Sequence, residues 1–383
     1  MDPSIIPLVE VINNNYNVQS EFLMQHVMNT NQTDEVYFMA LMLFETTVSH
    51  YRIEDYCEQW IPLYLEYDFF QLFRMTRDSF DILLSDIHCP EINKVFTGGE
   101  VPITGEKMLM MTLWWLGKGE ALISVSDKFN VCLSATHRSL EVILMKLVAL
   151  RNKYITWPNT RELITIERDF HARSGFPGVI GAIDVCNISF KAPADQHESY
   201  IDRKLRHSIK LQGICTKNKI FINIMVGFPG SVHDSRVIQN SAIFRDIEHN
   251  RNLNKYFPLS EYHLVGDSAY PLLKWLMTPY RNNGNLTERQ RRYNTAHSNT
   301  RIVIEHTFGL MKSRWRILQY INVNSVTKAV NIIVACCVLH NYCYINNDTW
   351  SERYDVEDGD EEIGEHVLGD LANNKRNHIA MLF

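Results

Sequence analysis

Apolar positions follow two rhythms along this 383-residue chain, and the change between them falls near residue 178. Before that point the spacing is helical. Residues 1–60 read as helical without a sharper signal, and 34–51 carry apolar residues at mixed helical spacing. Thr76 is a good N-cap for a stretch running through Phe80, Leu83, Leu84 and Ile87. Thr104 caps a helix holding Met108, Met111, Leu113 and Trp115, which ends at Gly117 or Gly119. A short helical piece over 124–129, a turn at Asn130-Val131 and a third helix capped by Ser134 follow. The third helix carries Leu140, Ile143, Leu144 and Leu147 on one face, with His137 and Arg138 near its start. This succession has the shape of a helix-turn-helix. A plain three-helix bundle explains it about equally well, because the third helix holds few base-reading side chains.

From Gly178 the pattern turns to strands. Residues 179–183 and 188–190 predict one long strand that carries Asp184. Residues 211–216 and 220–226 predict two more, joined by a hairpin turn at Lys217-Asn218. A helix starts near Asp234 and includes Val237, Ile238, Ile243 and Phe244; 262–265 is a fourth strand ending at Gly266-Asp267. Helices are expected around 271–277, 299–318 and 326–345. Three strands in a meander, a helix, a strand and further helices is the order of an RNase H-like core. The expected fold class is therefore α/β, with an RNase H-like mixed-sheet core preceded by an all-helical helix-turn-helix domain. The divisions are a helical extension over 1–65, the helix-turn-helix domain over 66–155, the core over 156–345 and a tail over 346–383. The tail has seven Asp/Glu between Asp355 and Glu365, and its acidity predicts disorder.

Composition narrows the class. With 45% hydrophobic and 21% charged residues the chain has the balance of an ordinary soluble protein. No run of about 18 apolar residues predicts a membrane span, and the start lacks the basic region of a signal peptide. The eight cysteines form no CxxC pair, which predicts free buried thiols rather than a disulfide frame or a zinc site. The net charge of -6 is unevenly placed. Residues 155–345 hold 24 Lys+Arg against 14 Asp+Glu, a balance of +10, which leaves -16 for the remainder. A basic segment inside an acidic chain is what a phosphate-contacting surface requires, although ordinary variation in surface charge produces such segments too.

Three carboxylates stand out within that segment. Metal-assisted phosphodiester cleavage needs carboxylates converging from separate elements, and hard ions such as Mg²⁺ prefer oxygen donors. Asp184 lies inside an apolar strand, a costly place for a charge unless it is paired or binds metal. Asp267 follows the fourth strand through a glycine expected to let the backbone turn sharply. Glu305 falls beside the helical core stripe Ile304, Phe308, Met311 and Trp315. Each has a plainer explanation. Asp184 could satisfy a backbone amide, Asp267 could cap a helix near Pro271, and Glu305 could pair with Arg301 one turn earlier. The three together in this strand order point to a metal site. Asp234 is the rival for the second position and is expected to be a helix cap or a supporting residue, because the third strand ends farther from the first. His233 and His207 are candidate phosphate or water contacts. The basic residues expected along a DNA channel are Arg203, Lys204, Arg206, Lys210, Arg289, Arg291, Arg292, Arg301, Arg314 and Arg316, whereas Lys312 reads as a solvated helix face.

Several stretches, in this order, carry a more specific signal. The first are Gly178-Val-Ile-Gly-Ala-Ile-Asp184 with Lys191-Ala-Pro193, and Pro229-Gly-Ser-Val-His-Asp-Ser235. Gly266-Asp-Ser-Ala-Tyr-Pro-Leu272, Leu276-Met-Thr-Pro-Tyr280 and His297-Ser298 follow. The last are Ile304-Glu-His-Thr-Phe-Gly309, Arg314-Trp-Arg-Ile-Leu318 and Cys336-Cys-Val-Leu-His-Asn341. Over roughly residues 70–345 they resemble the PIF/Harbinger transposase family. The resemblance implies metal-binding roles for Asp184, Asp267 and Glu305 and a DNA endonuclease or transposase dependent on Mg²⁺ or Mn²⁺, with two ions and strand transfer to target DNA. It also implies a Myb/SANT-like accessory protein that assists DNA binding and nuclear import, hence a nuclear location, or a cytoplasmic one without the partner; whether the chain forms a homo-oligomer stays open at this point. Two departures stand out. Family members commonly follow the first Asp with Gly-Thr-His, where this chain has Val185-Cys186-Asn187, so Asn187 replaces a site-facing His. Ala269 stands where Gly usually precedes the Tyr. The alternatives are a domesticated, non-cleaving DNA- or chromatin-binding adaptor and an RNase H-type enzyme acting on RNA.

Overall fold

A computed structural model describes residues 52–87, 102–350 and 370–383. The helix expected over 34–51 and the acidic run over 355–365 lie outside the described residues. Two helices come first, α1 (Glu66–Phe73) and α2 (Arg77–Asp86), the second capped by Thr76 as expected. Next come α3 (Gly105–Lys118), α4 (Leu122–Lys128) and α5 (Leu133–Ala149). Thr104 caps α3 and Gly119 ends it in a left-handed turn. Asn130 takes a left-handed φ of 50° between α4 and α5. The N-cap of α5 is Cys132, not Ser134, which lies inside the first turn. These helices pack on the rest of the chain: α5 meets the late helix α10 (Val326–Ile345), and the buried faces of both feed one core.

After α6 (Thr160–Ser174) the sheet begins with β1 (Val179–Ser189), β2 (Ser208–Cys215) and β3 (Phe221–Pro229). β1 to β3 form an antiparallel meander in which Asp184 stands opposite Gly213. The β2–β3 turn runs through Lys217-Asn218 as expected, closed by Lys219 at φ 63°. The single helix expected after Asp234 is two, α7 (Asp234–Gln239) and α8 (Ala242–Glu248). They divide at Ser241, whose hydroxyl caps α8 by accepting from the Phe244 amide at 3.1 Å. The chain then enters β4 (His263–Val265), parallel to β1.

Residues 271–277 form no helix. They turn at Leu273 and enter β5 (Leu276–Met277), parallel to β4, with Leu264 opposite Leu276 and Val265 opposite Met277. Short buried apolar runs fit helix or strand equally by spacing; here Pro271 supplies no amide, and the Trp275 and Met277 carbonyls accept from β4 and Gly266 amides. The strand order is β3-β2-β1-β4-β5. Helices α9 (Glu288–Arg314) and α10 complete the core. The result is a mixed α/β fold around a five-stranded mixed sheet, consistent with an RNase H-like core.

Helix α9 starts at a capping box between Thr287 and Gln290, eleven residues before the expected start. Its far end is fixed by Arg314, which donates to Asp348 Oδ1, the Asp348 carbonyl and the Arg74 carbonyl, each at 2.7 Å. Helix α10 is by length and composition alone apolar enough to cross a membrane, but 72% of its most apolar 18-residue window is buried inside the protein, as in a core helix. Within it, Asn341 binds both the amide and carbonyl of Phe221 and the Tyr154 carbonyl, and His340 contacts the Lys219 carbonyl. The end of the tail is also structured. Helix α11 (Asp370–Ala380) docks through Lys375, whose ammonium donates to the carbonyls of Ser260, Tyr262 and Lys274, so the expected disorder does not extend to it. The described cysteines are free, and most are buried.

The Arg314–Asp348 pair is 1% exposed on both sides. Asp348→Ala leaves a buried guanidinium without its counter-charge and should lower unfolding free energy by about 3–5 kcal/mol in urea denaturation; a loss below about 1 kcal/mol would show that the pair is not structural.

Candidate active site

The sheet order sets the site. β4 lies beside β1, so the residues that leave its C-terminal end emerge next to the middle of β1. Helix α9 crosses the same strand. Asp184 from β1, Asp267 after β4 and Glu305 from α9 therefore line one cleft of about 880 Å³. Gly266 reaches this geometry without a left-handed φ. A side chain there would sit 3.0 Å from both Ile183 Cγ2 and the Tyr270 ring, so its glycine is needed for close packing rather than for the turn expected.

Asp234 joins them in the cleft lining, and it is not the helix cap the sequence leads one to expect. The cap of α7 is the residue before it, His233, and the Asp234 carboxylate accepts from Lys210 Nζ at 2.7 Å. After β3 the chain crosses the end of β2, where the Gly230 amide donates to the Ser208 carbonyl. A side chain on Gly230 would lie 2.2 Å from Ser208 Oγ and 3.0 Å from the Tyr200 carbonyl, so glycine eases the crossing that carries Asp234 to the cleft. The end of β3 is indeed two strands from β1, but the loop, not the strand, delivers the carboxylate.

The plainer roles are present as well. Asp184 Oδ1 accepts from the Val185 amide at 2.8 Å, and Asp267 Oδ1 from the Ala269 amide at 3.1 Å. Arg301 bridges two acids, with NH1 2.9 Å from Asp184 Oδ2 and NH2 2.5 Å from Glu305 Oε1. These three side chains are only 15–19% exposed. Burial pushes the Asp184 carboxyl up to about 6, against the opposing pull of Arg301 and the Val185 amide, with Asp234 and Glu305 adding repulsion. Burial and the Asp184 charge raise Asp267 well above the ordinary carboxylate range. The same acids face Tyr270, whose phenol is raised by burial and by Asp234, Asp184 and Asp267. Four carboxylates thus share a cleft with two cations, the buried Lys210 and the partly buried Arg301.

The expected basic residues separate into groups. Arg203, Lys204 and Arg206 are exposed at the cleft, where Arg281 and Lys312 join them. Lys312 is not a solvated face, since it lines the cleft and donates to the Asn187 carbonyl at 3.2 Å. Lys210 and Arg301 are engaged by carboxylates, and Arg314 is buried far along α9, so these three do not present themselves to phosphate as expected. Arg291 and Arg292 pair with Glu288 at the start of α9. With Arg289 and Arg316 they lie outside the cleft lining. His233 lines the cleft, its Nδ1 3.5 Å from Arg203. Asn187 also lines it, and its buried Oδ1 has no hydrogen-bond partner among the described residues. His207 instead contacts His197 at 3.1 Å. His297 is a structural residue: it contacts the Met277 carbonyl, and burial depresses its pKa to about 4.

The oxygen donors suit a hard divalent cation, and burial first, with repulsion among the acids second, disfavours the charged forms of Asp184 and Asp267. Among the described residues no three His, Cys, Asp or Glu side chains stand close enough to share one ion as they are placed. The positive charge between Asp184 and Glu305 is that of Arg301.

An α/β protein with a mixed sheet and an acid-lined cleft at the C-terminal end of β4 has the frame of a nuclease of the DDE kind. The sequence model of the DDE superfamily endonuclease matches residues 183–341, which span the cleft acids. The chain is similar to "Putative nuclease HARBI1" of Bos taurus, 32% identical over 276 residues, covering 69% of this chain and 75% of that protein. The Homo sapiens protein of that name is 31% identical over the same shares. "Protein ALP1-like" of Arabidopsis thaliana is 29% identical over 287 residues, 71% of this chain and 70% of that one. No solved structure matches. The chain belongs to the Harbinger transposase-derived DDE endonuclease family, which supports a nuclease or transposase-derived function.

The charge crowding has a pH signature. Asp184 ionises less readily folded than unfolded, where its pKa is near 3.8, so the metal-free protein should lose stability as pH rises from about 4 through 6. Asp184→Asn should flatten that slope, by up to about 3 kcal/mol across the interval, in urea unfolding at stepped pH; an unchanged slope would remove Asp184 as its source.

Proposed function

We propose that this chain is a divalent-metal-dependent DNA endonuclease, with Asp184, Asp267 and Glu305 as its acid site. The convergence of these residues from β1, β4 and α9 beside a basic cleft rim carries the reading. Asp184, Asp267 and Glu305 would hold Mg²⁺ or Mn²⁺, with Asp234 as a fourth donor. When bound, two such ions activate an attacking water and stabilise the leaving oxygen of a phosphodiester.

The chain's own groups do the rest. Arg203, Lys204, Arg206, Arg281 and Lys312 hold the phosphate backbone at the cleft mouth, a contact that positions DNA without reading sequence. The carboxyls of Asp184 and Asp267 must give up their protons to act as donors, so loading releases protons and weakens toward acidic pH. His233, poised beside Arg203, helps to place the backbone. Strand transfer by the released 3′-hydroxyl belongs to the same reading, as do the accessory Myb/SANT-like protein and the nuclear location; the resemblance alone supports these.

DNA contact is assigned to the cleft mouth rather than to the helix-turn-helix. His137, at the start of α5, lies 2.7 Å from Lys328 Nζ of α10, and the helix holds few side chains suited to reading bases.

Two measurements test the reading. Mn²⁺-dependent nicking of plasmid DNA should fall at least about 100-fold in Asp184→Ala, Asp267→Ala and Glu305→Ala; cleavage at the wild-type rate by all three would refute the site and favour the non-cleaving adaptor. For DNA binding, Lys204→Ala and Lys312→Ala should each weaken affinity for all sequences alike and reduce the salt slope by about one. Unchanged slopes would place the DNA elsewhere.

A further inference from the structure

Arg301 supplies the positive charge that bridges two of the cleft acids. It lies one helical turn before Glu305 and spans from α9 to β1, with one nitrogen 2.9 Å from Asp184 and another on Glu305. The oxygens it engages belong to two of the acids proposed above as metal donors. Its side chain lines the cleft and is 19% exposed, so it has open space beside it. Lys210 differs in kind: it is 5% exposed, rises from a central strand and serves only Asp234 among the acids.

A divalent ion on these carboxylates would lie within a few ångström of the guanidinium, and the two positive charges would repel in a partly buried site. Without any cation, Asp184 and Glu305 would face each other and Asp267 with their charge uncompensated, which is strongly unfavourable. The fork of a guanidinium suits two carboxylates at once, where the point charge of a lysine would not.

We propose that Arg301 is the displaceable counter-ion of this site: it holds Asp184 and Glu305 apart and neutralised in the metal-free protein, and it leaves both when a divalent ion enters. This rests on the metal-dependent reading above. It gives Arg301 a positioning role, keeping the acids in place, and it sets a threshold that ion binding must overcome. The residue is then no fixed phosphate contact, and no permanent part of the frame like Arg314.

The test reads Arg301 itself and ion binding, not cleavage. In the wild-type chain, phenylglyoxal labelling followed by peptide mass spectrometry should leave Arg301 protected without metal. Labelling should rise at least about fivefold with saturating Mn²⁺, in line with a coupling between two sites. Equal protection with Mn²⁺ bound would show a permanent ion pair and overturn the proposal. Mn²⁺ affinity by electron paramagnetic resonance should tighten at least about fivefold in Arg301→Gln, with Arg301→Lys in between. Equal or weaker binding in a folded Arg301→Gln overturns it as well. If neither the wild type nor Arg301→Gln binds Mn²⁺, the metal-dependent reading fails and this inference with it, an outcome distinct from equal binding.

Discussion

A carboxylate in the middle of the central strand is the constraint on which the rest of the molecule turns. Asp184 is placed in β1 with β2 on one side and β4 on the other, flanked by Ile183 and Val185. A charge there cannot be solvated from the strand's own surroundings. It is tolerated because the Val185 amide and the Arg301 guanidinium reach it. Arg301 can do so only if α9 lies across β1 at a fixed depth. The helix is accordingly held at both ends, by its capping box at Thr287 and by the buried Arg314–Asp348 pair. A helix of this length with polar residues on several faces has little propensity-driven reason to hold one register. Tertiary anchors set it, and Glu305 is carried to the cleft as a consequence.

The same constraint sorts the basic residues. A Lys or Arg near a buried acid is drawn to it, since an uncompensated charge in a half-buried place is the larger penalty. Lys210 and Arg301 answer to Asp234, Asp184 and Glu305, while Arg314 answers to Asp348. The cations that face the cleft mouth are Arg203, Lys204 and Arg206, with Arg281 and Lys312 at the rim. The +10 balance of residues 155–345 therefore overstates the surface that could meet phosphate. Part of it is internal neutralisation of the acids that make the site.

Much of this was legible from local pattern. Alternation located β1, β2 and β3, and the Lys217-Asn218 turn was readable because hairpins are local. Asp184 announced itself as a charge in an apolar strand, and Glu305 by its place beside the stripe of Ile304, Phe308 and Met311. Features that depend on distant partners were not readable. Asp234 reaches the cleft because Gly230 passes Ser208 at close range, a contact with no local signature. Residues 271–277 read as helix because a short apolar run has no distinguishing period; pairing with β4 decides it. Arg314 resembled its neighbours in every sequence property, and only burial against Asp348 sets it apart. The tail was judged by its acidic run, yet Lys375 finds three carbonyls and Arg376 stacks 4.1 Å above Tyr280.

The remaining recurrent polar residues divide along a physical line. His297, His340 and Asn341 turn toward main-chain carbonyls and amides and hold strands in place, and the two histidines are kept neutral by burial. Those groups have satisfied hydrogen bonds and nothing to gain from a ligand. Asp184 and Asp267 have the opposite character, because burial and mutual repulsion raise the free energy of their charged forms. A fold that tolerates such crowding stores part of its stability as a demand for positive charge. Anything that supplies the charge at the cleft and not to the unfolded chain is stabilising in proportion. The charge crowding thus lies where a bound cation would relieve it, while Asn341 and His340 of α10, bonded to Phe221 and Lys219, hold β3 in place beside it.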